Sequence, residues 1–144
     1  MIWLHGSGVS DLMIKFVRSR IKSLRNALVG WWHVIKTQQN AWIHAVATVT
    51  VITLAFWLNL PLRDWAVLLI TIALVWTAEF LNTALEIVVD LASPKVHPLA
   101  KAGKDVGAAS VLIAAVTSIV IGILLLGPPL VNKLRQLLAF LAIP

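Results

Sequence analysis

Hydrophobic and polar positions divide this chain into four stretches. Between residues 11 and 37, Val17, Ile21, Leu24, Leu28, Trp31 and Ile35 recur at spacings of three or four, while Lys15, Arg18, Lys22 and Arg25 form a basic set. That period predicts an amphipathic helix of the kind that lies on a membrane surface. Three long apolar runs follow, from about Ala41 to Leu60, from about Trp65 to Asp90, and from about Val106 to Leu126. As helices, each is long enough to cross roughly 30 Å of hydrocarbon. Asn59-Leu60-Pro61 closes the first run and leaves a tight turn, and Ser93-Pro94 stops the second. Pro98 suits the first turn of the third helix, where a missing N–H is no loss. The expected organisation is an all-α membrane protein with an N-terminal segment at 1–40, a three-span domain at 41–130 and a short interfacial tail at 131–144.

Composition agrees. Of 144 residues, 60% are hydrophobic and only 12% charged, and the mean hydropathy is +0.91, values that belong to membrane proteins. The absence of cysteine excludes disulfides and cysteine–metal sites. Residues 1–40 lack a basic start followed by a clean apolar stretch, so no cleaved signal peptide is expected. The net charge of +6 is uneven. Lys15, Arg18, Arg20, Lys22, Arg25 and Lys36 precede the first span, and Lys95, Lys101 and Lys104 lie between the second and third. The loop between the first two spans has only Arg63, beside Asp64. The positive-inside rule puts the N-terminus and the 93–105 loop in the cytoplasm and the C-terminus outside, with Lys133 and Arg135 an outnumbered exception. Trp31, Trp32 and Trp42 would mark the cytoplasmic interface, and Trp57 and Trp65 the outer one. Charges that flank spans point to anionic lipid headgroups and not to nucleic acid.

The segment AEFLNTALEIVVD, residues 78–90, places Glu79, Glu86 and Asp90 in a run from Trp65 to Ala92 that has no basic residue. Each acid costs roughly 2.5–3.5 kcal/mol at a bilayer centre on insertion scales. At about 100° per residue, Glu79, Asn82, Thr83, Glu86 and Asp90 share one helix face and climb about 16 Å along the axis. Such a stripe cannot face lipid; it must face protein, water, a cation or a substrate. Three readings of it stand: buried acids tied to basic partners in an assembly, a proton or cation pathway, and a site for a divalent cation with an anionic substrate. No Lys or Arg within the span favours the first. Mg²⁺ is commonly held by one or two carboxylates together with substrate phosphates, which suits the third.

A second group, His97 to Asp105 (HPLAKAGKD), sets Lys101 and Lys104 at a helix start, where free amides and the helix dipole favour phosphate. His44 and His33 read as interfacial hydrogen-bonding groups. Ser110, Ala114, Ser118 and Gly122, at four-residue intervals, would let helices approach closely in lipid. Three spans alone hardly enclose a polar stripe, so a homo-oligomer with sites between protomers is expected. The chain has no GxxxxGK[ST], HExxH, GxSxG or GxGxxG motif, so no soluble-enzyme template applies.

At Glu79-Phe80-Leu81-Asn82-Thr83-Ala84-Leu85-Glu86-Ile87-Val88-Val89-Asp90 the chain resembles the small prokaryotic integral-membrane diacylglycerol kinase family, which includes the undecaprenol kinases. The family pattern E-x-[LIVM]-N-[ST]-[SA]-[LIV]-E-x₂-[VIL]-D is satisfied at every specified position. HPLAKAGKD resembles the family's cytoplasmic loop, and TQQNAWIH, residues 37–44, resembles its approach to the first span. The resemblance covers about residues 22–130. It implies a homotrimer of three-span protomers with surface helices and composite sites, working with ATP and Mg²⁺ on the hydroxyl of a lipid alcohol. Glu79 would then be the general base, beside the lipid hydroxyl, with Asn82 and Thr83 also at the substrate. Glu86 would hold Mg²⁺ and, with Asp90, Lys104 and Asp105, approach the nucleotide. One departure is plain: Gln38 stands where the family usually has a second metal-binding Glu. The HPLAK and LNTALE forms look more like undecaprenol kinases than diacylglycerol kinases. The rivals are a catalytically weak or inactive scaffold of the same fold and a small cation- or proton-coupled transporter.

Overall fold

The computed structural model describes the backbone of residues 7–141 and side chains from Asp11 onward; within that range the chain is wholly helical apart from three short connections. It comprises α1 (Ser7–Thr37), α2 (Gln39–Trp57), α3 (Leu62–Ala92) and α4 (Pro98–Leu141). Residues up to Thr37 and those from Gln38 onward form two separate units. In the first, α1 carries two cation–ring pairs at four-residue spacing: Arg20 lies 5.4 Å from the Phe16 ring and Lys36 5.0 Å from the Trp32 ring.

In the second unit α3 is the central element, packed against α4 along most of its length and against α2 on another side. All three helices are long and apolar enough to cross a membrane. At 1.5 Å per residue they measure about 28, 46 and 66 Å, so α3 and α4 extend well past a 30 Å core.

The α2–α3 turn shows why the chain reverses at the predicted place. Asn59 adopts φ 53°, a left-handed conformation that Asn tolerates better than most residues. The Leu60 N–H donates to the Ala55 carbonyl at 3.1 Å and the Asn59 N–H to Phe56 at 3.1 Å. This is a Schellman closure, and it brings with it the expected apolar contact between Leu60 and Ala55. Leu60 and Ala55 join Leu68 and Leu126 in a buried cluster that ties α2, α3 and α4 together at this end. The Phe56 and Trp65 rings meet across the turn, 4.7 Å apart. At the opposite end α3 stops at Ala92 and α4 starts at Pro98, as the prolines predict. His97 caps α4: its Nδ1 accepts the Leu99 N–H at 3.2 Å and its carbonyl accepts the Lys101 N–H at 3.1 Å.

Two expectations change. The apolar run ending near Leu126 is not the end of a helix, because α4 continues through Pro128 and Pro129 to Leu141. Two prolines remove two backbone donors, yet the helix runs past them. Residues 142–144 of the expected tail lie outside the described residues. The expected need for several protomers to enclose the polar stripe changes only in its buried part, Glu86 remaining half-buried and Asp90 exposed. Glu79 and Thr83 are each only 1% exposed within one protomer. Buried Ala41 on α2 with buried Gly107 and Ala114 on α4 keep the opposing faces thin, so three helices close over that part of the stripe.

Ala114, placed by its sequence pattern on an inter-helix face, is therefore a core position of the protomer. Ala114→Leu should destabilise the fold by about 1–3 kcal/mol through overpacking, seen as earlier unfolding in an SDS titration in mixed micelles. Parental unfolding together with a lost crosslinked oligomer would instead place Ala114 against a neighbouring protomer.

Candidate active site

The carboxylate stripe forms because Glu79, Asn82, Thr83, Glu86 and Asp90 repeat at helical spacing on α3, and the structure grades them by depth. Glu79, Asn82 and Thr83 are buried, Glu86 is half-buried and Asp90 is exposed. Thr83 is locally satisfied, its hydroxyl donating to the Glu79 carbonyl at 2.9 Å. Asn82 reaches one turn along the helix and donates its amide Nδ2 to Glu86 Oε1 at 3.0 Å. This bond orients Glu86 from within α3 itself.

Two helices complete the surroundings. From α2, His44 Nε2 stands 3.7 Å from Glu79 Oε2, close enough for charge attraction but too long for a hydrogen bond. The Trp76 ring meets His44 edge-on at 6.2 Å and is anchored by its indole N–H to Thr48 Oγ1 at 3.1 Å. From α4, Gly107 lies against Asn82: a Cβ built there would collide with Asn82 Oδ1 and come 3.0 Å from Leu85 Cδ2. Only a residue without a side chain permits that approach. At the mouth of the site Lys104 Nζ pairs with Asp90 Oδ1 at 2.5 Å. The expectation that the acids lack a basic partner holds within α3 but not across to α4. Being exposed, that pair contributes at most about 1 kcal/mol.

Among the described residues, three buried side-chain atoms have no hydrogen-bond partner: His44 Nε2, Glu79 Oε2 and Asn82 Oδ1. The first two face one another at 3.7 Å. A groove of about 210 Å³, lined by Asn40, His44, Asn82 and apolar residues of α4, opens beside them. A shallower hollow of about 320 Å³ lies where Asp90, His97, Lys101 and Lys104 converge. Gln38 is the N-cap residue of α2, half-buried, with no capping hydrogen bond from its side chain. Asp105 is exposed.

Comparison with known proteins interprets this arrangement. Residues 25–126 match the family of prokaryotic diacylglycerol kinases. The chain belongs to that family. An undecaprenol kinase of Bacillus subtilis is 39% identical over 109 residues, covering 76% of this chain and 89% of the relative. A diacylglycerol kinase of Synechocystis is 45% identical over 111 residues, covering 76% of this chain but 63% of the relative. The diacylglycerol kinase of Escherichia coli K12 is 30% identical over 117 residues, 72% of this chain and 96% of the relative. As a member of the prokaryotic diacylglycerol kinase family the protein is an integral-membrane lipid kinase, an enzyme that phosphorylates an alcohol.

Two residues packed against the carboxylate stripe escaped sequence reasoning. His44 read as an interfacial hydrogen bonder, yet the fold sets it beside Glu79. Gly107 carried little signal, because its value lies in how closely it lets α4 approach Asn82. Its position one helical turn after Lys104 was the only available hint. Gly107→Ala should lower lipid phosphorylation by about 10- to 100-fold, because Asn82 must leave Glu86 or α4 must shift, and misplacements near 1 Å cost rates of that order. Gly127→Ala on the same helix, with open space around it, serves as the control. Parental turnover in Gly107→Ala would show that Asn82 need not sit where it does.

Proposed function

We propose that the protein is an ATP- and Mg²⁺-dependent kinase that transfers the γ-phosphoryl group to the hydroxyl of a membrane lipid alcohol, undecaprenol in preference to diacylglycerol. The observation that carries the reading is the graded stripe: a buried carboxylate with one oxygen unpartnered, then a half-buried carboxylate held by an amide, then a carboxylate–lysine pair at the surface. Along α3, Glu79 lies about 26 Å from Leu62, Glu86 about 36 Å and Asp90 about 42 Å. With the Leu62 end at one face of a 30 Å core, the stripe emerges at the other face, where a lipid hydroxyl and a water-borne nucleotide can meet. The basic flanks set that face in the cytoplasm, with the N-terminus on the same side, α1 lying on the membrane surface as an amphipathic helix and the C-terminus outside, in a plasma (inner) membrane.

In this reading Glu79 accepts the proton of the acceptor hydroxyl, with Thr83 and Asn82 shaping the place where hydroxyl and γ-phosphate approach. Lys104 and Asp105 contact the nucleotide, and Asp90 and Glu86 border it. Phosphoryl transfer asks chiefly for positioning and charge neutralisation, and little covalent work. Among the described residues no three His, Asp or Glu side chains cluster as an all-protein metal cage. The donor set nonetheless fits Mg²⁺, since Glu86 presents a hard carboxylate already oriented by Asn82 and phosphate oxygens can fill other positions. Mg²⁺ bound there would neutralise charge developing on the phosphates. Gln38 would stand near it as a neutral ligand or hydrogen-bonding group. The preference for undecaprenol rests on the HPLAK and LNTALE forms and on the Bacillus subtilis relative, against the two diacylglycerol kinase relatives. A homotrimer with sites shared between protomers is the proposed assembly, the half-open side at Glu86 and Asp90 being where a neighbour would add to the site.

Purified protein in micelles with γ-labelled ATP, given undecaprenol or diacylglycerol, should label the lipid and label undecaprenol faster. No label in either lipid would overturn the proposal. In the same assay Glu79→Gln should lose about 10²- to 10⁴-fold in turnover, the usual worth of a general base, with its oligomer intact on size exclusion. Near-parental turnover would remove Glu79 from that role. Gln38→Glu adds a charged oxygen at the proposed metal position, so half-maximal rate should come at lower free Mg²⁺ with ATP–Mg saturating. An unchanged or higher requirement would take Gln38 out of the metal site.

A further inference from the structure

We infer that His44 is the positioning residue of Glu79: its Nε2–H donates to Glu79 Oε2 and so turns the other carboxylate oxygen toward the acceptor hydroxyl. The inference rests on the proposed role of Glu79 as base. Its ground is that two buried polar atoms on different helices, each without a hydrogen bond, face one another at 3.7 Å. The His44 side chain is 12% exposed and that of Glu79 1%, so water at large is not the partner of either. Leaving both unmade would cost each group its desolvation with no hydrogen bond in return. Closure by roughly 0.8 Å brings them to an ordinary N–H···O separation of about 2.9 Å. Such tightening on substrate binding is common, catalytic hydrogen bonds being long in free enzymes.

The surroundings limit what else His44 can do. Trp76 lies against one side of its ring and is itself tied to Thr48, one turn further along α2, so the ring is held from the helix that bears it. Cavities of about 80 and 210 Å³ both have His44 in their walls, leaving room for the small rotation that closure needs. The other residues lining them carry no ionisable group, and the one further acid acting on Glu79 is Glu86 on its own helix. Among the described residues, His44 is the basic group recorded facing the buried carboxylate. A base fixed on one oxygen by a donor presents its second oxygen in one orientation, which is the contribution of orientation to rate.

Two measurements test it together. In lipid phosphorylation, His44→Leu should lower kcat by about 10²-fold with KM for ATP and for the lipid near parental, while His44→Gln, which keeps an N–H donor, should recover most of the loss. With ¹⁵N-histidine protein in micelles, the His44 Nε2–H resonance should shift on Glu79→Gln, and the resonances of His33 and His97 should not. Equal loss in the Leu and Gln variants, a loss carried by KM, or a His44 resonance indifferent to Glu79→Gln would each overturn the inference. Because the resonance is read without turnover, failure of the kinase reading would appear separately, as no labelled lipid from the parent protein.

Discussion

A carboxylate inside an apolar three-helix bundle is the constraint around which this molecule is arranged. Glu79 sits on α3, 1% exposed, where a lone charge is costly unless enclosed by polar partners. The helices can enclose it only by coming close, which explains Ala41, Gly107 and Ala114 at buried positions of the flanking helices. Other buried polar groups nearby are quiet: Thr71 donates to the Val67 carbonyl at 2.8 Å and Thr83 to that of Glu79. Spare hydrogen-bonding capacity is thereby concentrated on His44, Glu79 and Asn82. Buried unpaired groups are rare in native proteins and call for an explanation where they occur. Two of them, on His44 and Asn82, belong to residues lining one groove, and the third faces His44 at 3.7 Å, which fits the proposed site for a substrate that brings its own donors and acceptors.

What the sequence disclosed and what it hid divide along a physical line. Local features were legible. The Asn59 turn, the stop at Ser93-Pro94 and the start at Pro98 follow from backbone preferences that each residue carries with it, and the structure has all three. The stripe was legible because helical periodicity alone sets Glu79, Asn82, Thr83, Glu86 and Asp90 on one face. Contacts between helices were not. Nothing in the order of residues says that His44 would meet Glu79, that Lys104 would take Asp90, or that Gly107 would lie on Asn82. Each depends on the register between helices, which apolar side chains settle collectively. The run past Pro128-Pro129 was hidden for a different reason: proline marks a weak place in a helix but does not decide whether neighbours sustain it.

The stripe also accounts for a division of labour between helices. α3 supplies the three carboxylates of the stripe, while α2 and α4 supply groups that meet them. His44 comes from α2; Gly107 and Lys104 come from α4. Asn82 belongs to the first group by position and to the second by action, since it holds Glu86 with one end of its amide and meets Gly107 with the other. A single helix carrying Glu79, Glu86 and Asp90 keeps their spacing constant at about 1.5 Å per residue, so the neighbours need only set depth and orientation.

That arrangement suits two substrates arriving from different phases. In the proposed reaction a lipid hydroxyl would approach along the membrane and meet the buried end of the stripe, where dry surroundings strengthen the interaction of charges with one another. A nucleotide would approach from water and meet the open end, where the exposed pairing of Asp90 with Lys104, worth little by itself, could be exchanged for contacts with phosphate. Glu86 stands between them, half-buried and pre-oriented, at the depth where phosphate oxygens and a cation would have to sit for the two to react. A site with all three acids equally buried would exclude the nucleotide, and one with all three exposed would admit water in competition with the lipid hydroxyl. In the proposed reaction, the grading of exposure along one helix face is therefore the feature that would let a protomer with only three spans serve both.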